Sequence, residues 1–204
     1  MEIINLNNPD NRKSKLFLGE QIGIGNLTNP KYPIFKTLFN DQLSFFWRST
    51  EISMLRDASD IKTLTDVERF IFENNLYFQT VGDSFLGSGI KEILKYVTNS
   101  ELFFSLDTHS YFESSIHTPS YSHVIENIYN NPIEEFDKIL KNPAILQRAK
   151  ESTQKFNELL NTSGEDLRKN IVNTIIGLLA LESISFYNSF LTSFYFHKHG
   201  DRKS

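Results

Sequence analysis

Three carboxylates and one imidazole in this 204-residue sequence are placed where they could hold metal: Asp83, Glu113, His117 and Glu182. Glu113, His117 and Tyr121 recur at intervals of four, which puts all three on one face of a helix. Asp83 follows Phe78 and Val81 at the end of an apolar helical stretch. Glu182 lies within Leu178-Leu179-Ala180-Leu181-Glu182-Ser183-Ile184-Ser185-Phe186-Tyr187, apolar almost all round and so expected to be a buried helix. A lone buried carboxylate is costly unless neutralised, paired or bound to a metal. No Lys or Arg falls within a helical turn of Glu182, and a metal ion would resolve that conflict. Taken singly, Asp83 reads as a polar helix end, Glu113–His117 as a solvated pair and Tyr121 as a core tyrosine. Only Glu182 resists a plain surface reading, and the four become informative together.

Composition restricts the chemistry. There is no Cys, which removes disulfides, thiolate nucleophiles and thiolate metal sites at once. A metal here must be held by O and N donors, which suits iron or manganese better than structural zinc. The net charge of −4, with no Lys/Arg run longer than two, speaks against a nucleic-acid surface, which needs clustered positive charge. The longest apolar run, Ile175 to Leu181, is too short to cross a bilayer, so no membrane partner is expected. The first eleven residues, polar with two acids, do not read as a signal peptide. The cytoplasm is the expected location.

The elements that must position these residues are helical. The 18 Phe and 8 Tyr against 9 Gly and 6 Pro favour long helices over many short strands. Residues 1–29, rich in Asn and Gly, read as an irregular N-terminal arm, and 30–204 as the folded part. A first helix is predicted from Pro33, with Phe35, Leu38, Phe39, Leu43, Phe46 and Trp47 at helical spacing. Thr65-Asp66-Val67-Glu68 is a capping-box pattern opening a second helix that runs to Asp83, with Gly87 and Gly89 loosening or ending it. A third begins at Ser100-Glu101 and passes through His117 toward Tyr129, with Pro119 as a conflict inside it. Pro132 and Pro143 open two shorter helices, and Ser163-Gly164-Glu165-Asp166 caps a last one running from about Leu167 to His199. No stretch alternates as a strand would, and the class is all-α.

At this level the residues resemble a known family. Phe45-Phe46-Trp47-Arg48 after Asp41-Gln42-Leu43-Ser44, and Tyr77-Phe78-Gln79-Thr80 leading to Asp83-Ser84, are similar to the small (β, radical-generating) subunit of class I ribonucleotide reductase. So are Ile116-His117-Thr118-Pro119-Ser120-Tyr121-Ser122-His123 and Ala180-Leu181-Glu182-Ser183-Ile184-Ser185-Phe186-Tyr187. The resemblance runs from about residue 15 to about residue 198, in the flavour of bacterial and T-even-phage proteins. It implies a ferritin-like helical bundle with a di-iron or Fe/Mn centre. It further implies metal ligation by Asp83, Glu113, His117 and Glu182, a radical at Tyr121, and radical transfer through Trp47. Phe186 and Phe190 would wall the radical pocket. The implied partners are the large, nucleotide-reducing subunit and either a second small subunit or a complementary C-terminal half, in a bacterial or infected host cell.

Two departures qualify these expectations. The family spaces its first pair as Glu-x-x-His, whereas Glu113-Ser114-Ser115-Ile116-His117 holds one residue more. An inserted residue is commonly absorbed as a π-bulge; the alternative register puts Ser114 at the ligand position. The second Glu-x-x-His, expected beyond Glu182, is not in this sequence, so the bundle and its ligand shell are expected to be incomplete. His197, fifteen residues further along one helix, would lie roughly 22 Å from Glu182 and cannot stand in. A non-catalytic helical remnant or assembly partner is the competing expectation.

Overall fold

The structure, a computed structural model, describes residues 5–7 and 11–197. Nine α-helices are described: α1 Pro33–Ser44, α2 Asp57–Asp60, α3 Asp66–Leu94, α4 Ser100–Phe112, α5 Thr118–Ile128, α6 Pro132–Lys141, α7 Pro143–Leu160, α8 Asp166–Ala180 and α9 Tyr187–His197. Two π-turns, Glu113–His117 and Leu181–Phe186, join α4 to α5 and α8 to α9 as continuous rods. Among the described residues there is no strand, only an isolated antiparallel bridge between Phe17 and Val97. The expected stop of the last helix near His199 and Gly200 lies outside the described residues.

Local chemistry sets most helix starts. Thr65 Oγ1 accepts from the Glu68 amide while Glu68 Oε2 accepts from the Thr65 amide, the full capping box. Asn99, Asn131 and Asn142 cap α4, α6 and α7, with Pro132 and Pro143 at the first turns of the latter two. The start of α8 differs from expectation. It has no capping side chain; Gly164 turns the chain at φ 68°, a conformation suited to glycine. Helix α1 is shorter than its apolar spacing suggests, ending at Ser44, so Phe46 and Trp47 lie outside it.

The central rod, α3, corrects a second expectation. Gly87 and Gly89 do not end it; the helix continues to Leu94. Both glycines are notches against neighbouring helices. A Cβ on Gly87 would sit 3.0 Å from Ser114 Cβ, and one on Gly89 only 2.6 Å from Phe156 Cε1. Ser110 Oγ donates to Gly87 O across the first notch at 2.8 Å. Close approach of α3 to α4 and α7 outweighs the roughly 1 kcal/mol of helix propensity that each glycine forgoes.

One core cluster (Leu86, Ile93, Phe156, Leu159, Ile171, Leu181, Phe186) joins α3, α7 and the α8–α9 rod. A second (Leu76, Tyr77, Ile125, Ile139, Ile145) joins α3, α5, α6 and α7. A third, around Leu94, Val97 and Leu102, is covered by Leu16, Phe17 and Phe35, so the irregular segment ahead of α1 is docked. Thr98 N donates to Leu16 O and Leu18 N to Tyr96 O, both at 2.9 Å.

The stretch Leu178 to Tyr187 was expected to form a buried helix, but the rod that holds it, Asp166–Phe196, is buried along one side only. It places Ile171, Thr174, Leu181 and Phe186 in the interior. Ile176, Leu179, Ile184, Tyr187, Phe190 and Phe194 stay exposed, and no described residue covers them. By length and composition its 31 residues could cross a membrane, although polar residues interrupt every apolar run. Its packed side makes it a helix of this bundle.

Candidate metal centre

The site lies where α3 meets the two π-turns. Asp83, at mid-helix on α3 rather than at a helix end, is 2% exposed, and Glu113, opening the first π-turn, is 3% exposed. His117 closes that turn. Its Nδ1 lies 3.2 Å from Glu113 Oε2 and 3.6 Å from Asp83 Oδ2. Four residues advance an α-helix by about 40° beyond one full turn. The wider π-turn removes that drift and keeps Glu113 and His117 on one side. The inserted residue is thus absorbed as expected, and the register points Glu113 into the site. Ser114 Oγ instead donates to Ser110 O at 2.8 Å. The π-turn also accommodates Pro119: hydrogen bonding is already displaced to i−5 at Thr118, whose amide and hydroxyl both reach Glu113 O.

Tyr121, one turn further on, donates its hydroxyl to Asp83 Oδ2 at 2.5 Å. Its ring packs on the second core cluster, as Phe72, Phe78, Val81 and Val124 also do. Trp47, half-buried in the loop after α1, stacks on the His117 ring at 6.3 Å with 29° between planes. Phe186 is buried, lies 5.7 Å from Phe78 and would meet a Cβ on Gly82 at 3.0 Å. Phe190, which the resemblance would place beside it in a pocket wall, is 52% exposed. The tyrosine's surroundings come from the cluster shared by α3, α5, α6 and α7, which sequence spacing did not single out.

Glu182 is the second residue of the second π-turn, and its carboxylate faces His109 of α4, with Nε2 to Oε1 at 3.5 Å. The same imidazole lies 4.0 Å from Glu113 Oε1. His109 was not among the expected site residues. The signal that finds it is the spacing: His109, Glu113, His117 and Tyr121 form an unbroken series of fours.

Electrostatics favour added positive charge. Burial, followed by the charge of Glu113, pushes the Asp83 carboxyl up to about 7. Burial works against protonation of His117, but Glu113 and then Asp83 raise it above its ordinary value. Burial likewise opposes protonation of His109, and Glu182 and Glu113 prevail. The Tyr121 phenol is raised by burial and by Asp83. Glu182 Oε1 is shut off from solvent and accepts no hydrogen bond. A divalent cation would replace the protons this cluster recruits and satisfy that oxygen. Asp83, Glu113 and His117 each offer a donor atom within 4.8 Å of the others, as do His109, Glu113 and Glu182. The residues present fit a centre built from O and N donors.

Comparison with known proteins identifies the family. Residues 25–201 match the family described as ribonucleotide reductase, small chain. A ribonucleoside-diphosphate reductase subunit beta of Buchnera aphidicola subsp. Baizongia pistaciae is 36% identical, with the match covering 89% of this chain and 54% of that one. The subunit 1 beta of Escherichia coli O157:H7 is 34% identical over 92% and 55%. That of Enterobacteria phage T4 is 28% identical over 96% and 58%. The chain therefore spans about half the length of the curated relatives it matches. Among solved structures, a ribonucleotide reductase R2 subunit from Clostridium botulinum superposes with a TM-score of 0.87 at 23% identity, covering 98% of this chain and 62% of that one. A dimanganese(II)-NrdF from Streptococcus sanguinis gives 0.72 at 22% identity, over 86% and 59%. At those identities the structures speak to the fold alone, a ferritin-like helical bundle. Matched over 177 of its 204 residues, from 25 to 201, the chain belongs to the ribonucleotide reductase small-chain family.

Proposed function

We propose that this chain forms the radical-bearing part of a ribonucleoside-diphosphate reductase small subunit, with Tyr121 as the residue that stores the oxidising equivalent. The observation that carries this reading is the 2.5 Å hydrogen bond from the Tyr121 hydroxyl to Asp83 Oδ2. A phenol loses its proton when it loses an electron, and the proton needs a base already in place. Asp83 is that base, buried and directly bonded to the hydroxyl. Asp83, Glu113, His117 and Glu182 would hold two iron or manganese ions, which would supply the oxidising power together with dioxygen. The protein's own contribution is positional. Leu76, Ile125 and Ile145 keep the ring of Tyr121 away from water, and Trp47 against His117 provides an aromatic route between the site and the surface.

This reading implies a large subunit that binds the nucleotide and uses the radical. It also implies a homodimer of small subunits and the cytoplasm of a bacterial or infected cell. The remaining half of the relatives' length, whether continuous with this sequence or supplied by a second polypeptide, would cover the exposed face of the α8–α9 rod. The test is reconstitution. Chain and complementary half are mixed, loaded with Fe(II) and exposed to O2, and the tyrosyl EPR signal is recorded. Tyr121→Phe should abolish the signal and leave the metal bound; Glu182→Ala should lose both. A tyrosyl signal that survives Tyr121→Phe would remove the assignment. The exposed apolar face also supports a second reading, an assembly partner without its own metal centre, and a chain that binds no metal, alone or mixed with a C-terminal half, would favour it.

A further inference from the structure

Family resemblance supplies no role for His109, and no motif marks it, yet it sits at the centre of the ligand geometry. We infer that His109 is a metal ligand: with Glu113 and Glu182 it forms a second three-donor pocket that shares Glu113 with the Asp83–Glu113–His117 pocket. The inference rests on the reading that the latter three residues bind metal, and it adds a nitrogen donor from within the described chain.

Three observations converge on it. The first is distance. Donors on opposite sides of one ion, each about 2.1–2.2 Å away, stand about 4.3 Å apart. The donor atoms of His109, Glu113 and Glu182 all fall within 4.8 Å of one another, which a small inward movement closes.

The second is the orientation of Glu113. Its Oε2 faces His117 at 3.2 Å while its Oε1 faces His109 at 4.0 Å. One carboxylate thus serves both pockets, one oxygen to each, as a bridging ligand does. Glu113 is 3% exposed, so this division is fixed by packing rather than by a freely rotating surface side chain.

The third is the unsatisfied acceptor. Glu182 Oε1 is buried and without a hydrogen bond, and His109 Nε2 is 3.5 Å from it. Two polar groups aimed at one another at a distance too long for a good hydrogen bond leave both poorly satisfied. An ion between them would satisfy both.

The experiment is Co(II) titration of the 204-residue chain under anaerobic conditions, followed by visible absorption. Hyperfine-shifted imidazole N–H resonances then count the ligating histidines. The wild type should take up two Co(II) per chain and show two such resonances; His109→Ala should bind one and show one. His117→Ala should also bind one, keeping the resonance that His109→Ala loses. Should either variant fail to match the wild-type helical signal in the far ultraviolet, the count of two in the wild type still decides. A wild type that binds Co(II) with a single shifted resonance, or a His109→Ala chain that binds as the wild type does, would reduce His109 to an ion-pair partner of Glu182. A wild type that binds no Co(II) alone would overturn the His109 pocket, and one that binds none when mixed with a C-terminal half would overturn the metal-centre reading itself, so the two failures are distinguishable.

Discussion

In the metal-free chain, stability should fall as pH rises from 5 to 8, and Asp83→Asn should remove the lower part of that fall. Asp83 is 2% exposed, and burial and the neighbouring charge of Glu113 push its carboxyl from 3.8 to about 7. Between those values the folded chain holds a proton on Asp83 that the unfolded chain releases. Folded protein therefore binds more protons, and stability decreases with rising pH across the window from about 4 to about 7. At about 1.4 kcal/mol per pH unit over roughly three units, the ceiling is about 4 kcal/mol for this one group. His117 and His109 act in the same direction in a higher window. Their protonated forms are favoured by the fold, so their contribution is complete below about 6.5 and lost as pH rises through their raised folded values. Glu73, raised by burial and then by Glu135, adds to the carboxylate window.

Urea unfolding at pH 5, 6, 7 and 8, in chelator, measures this. Asp83→Asn keeps an acceptor for the Tyr121 hydroxyl but has no charge to bury, so the difference between it and the wild type isolates Asp83. Between pH 5 and 7 the wild type should lose up to about 1.4 kcal/mol per pH unit more than the variant. Adding a divalent ion should reverse the wild-type trend, because deprotonated ligands bind it best; at a hundred times its Kd the ion adds about 2.7 kcal/mol. If wild type and Asp83→Asn keep parallel profiles without metal, the carboxylate is not held protonated by burial, and the electrostatic account of the site is wrong.

Three further outcomes follow from packing. Gly89→Ala should destabilise the chain by about 1–3 kcal/mol in urea melts, because its Cβ would meet Phe156 Cε1 at 2.6 Å; a neutral or stabilising result would mean that α3 and α7 are not in close contact. Thr65→Ala removes the cap of α3 and should cost about 1 kcal/mol, read from the same melts; an unchanged midpoint would deny the cap any role. The exposed apolar row of the α8–α9 rod should drive association at micromolar concentration in sedimentation runs, and Leu179→Asp with Phe194→Asp should shift the chain toward monomer; a monomeric wild type would count against that surface as an interface.

What the sequence made legible was what local chemistry dictates. The capping box at Thr65, the prolines that open α1, α6 and α7, and the series Glu113, His117, Tyr121 depend on neighbours a few residues away. What it left illegible depends on partners far along the chain. Gly87 and Gly89 look like helix breakers until Ser114 and Phe156 are seen against them. Phe46 and Trp47 continue the helical spacing of α1, but the chain leaves the helix at Ser44, and Trp47 stacks on His117, seventy residues away. Phe190 shares the apolar character of Phe186, yet Phe186 is buried in the first core cluster while Phe190 is half exposed. His109, flanked by Thr108 and Ser110, carries no apolar context to mark it, and only the facing Glu182 gives it meaning.

The two π-turns tie these observations together. Each opens on or beside a carboxylate of the site, Glu113 in one and Glu182 in the other, and each interrupts a rod that is otherwise regular α-helix. A π-turn gives up regular i→i−4 bonding, so it persists where something else is gained. In the first, the gain is alignment: between Glu113 and His117 the turn removes the roughly 40° by which four α-helical residues overshoot one full turn, so both side chains face Asp83. In the second, the wider turn sets Glu182 toward α4 while Phe186 remains buried against α3. The extra residue between Glu113 and His117 is thus the feature that departs from the family's spacing and also the one that keeps the donor ladder straight. It holds Glu113 between two imidazoles instead of beside one.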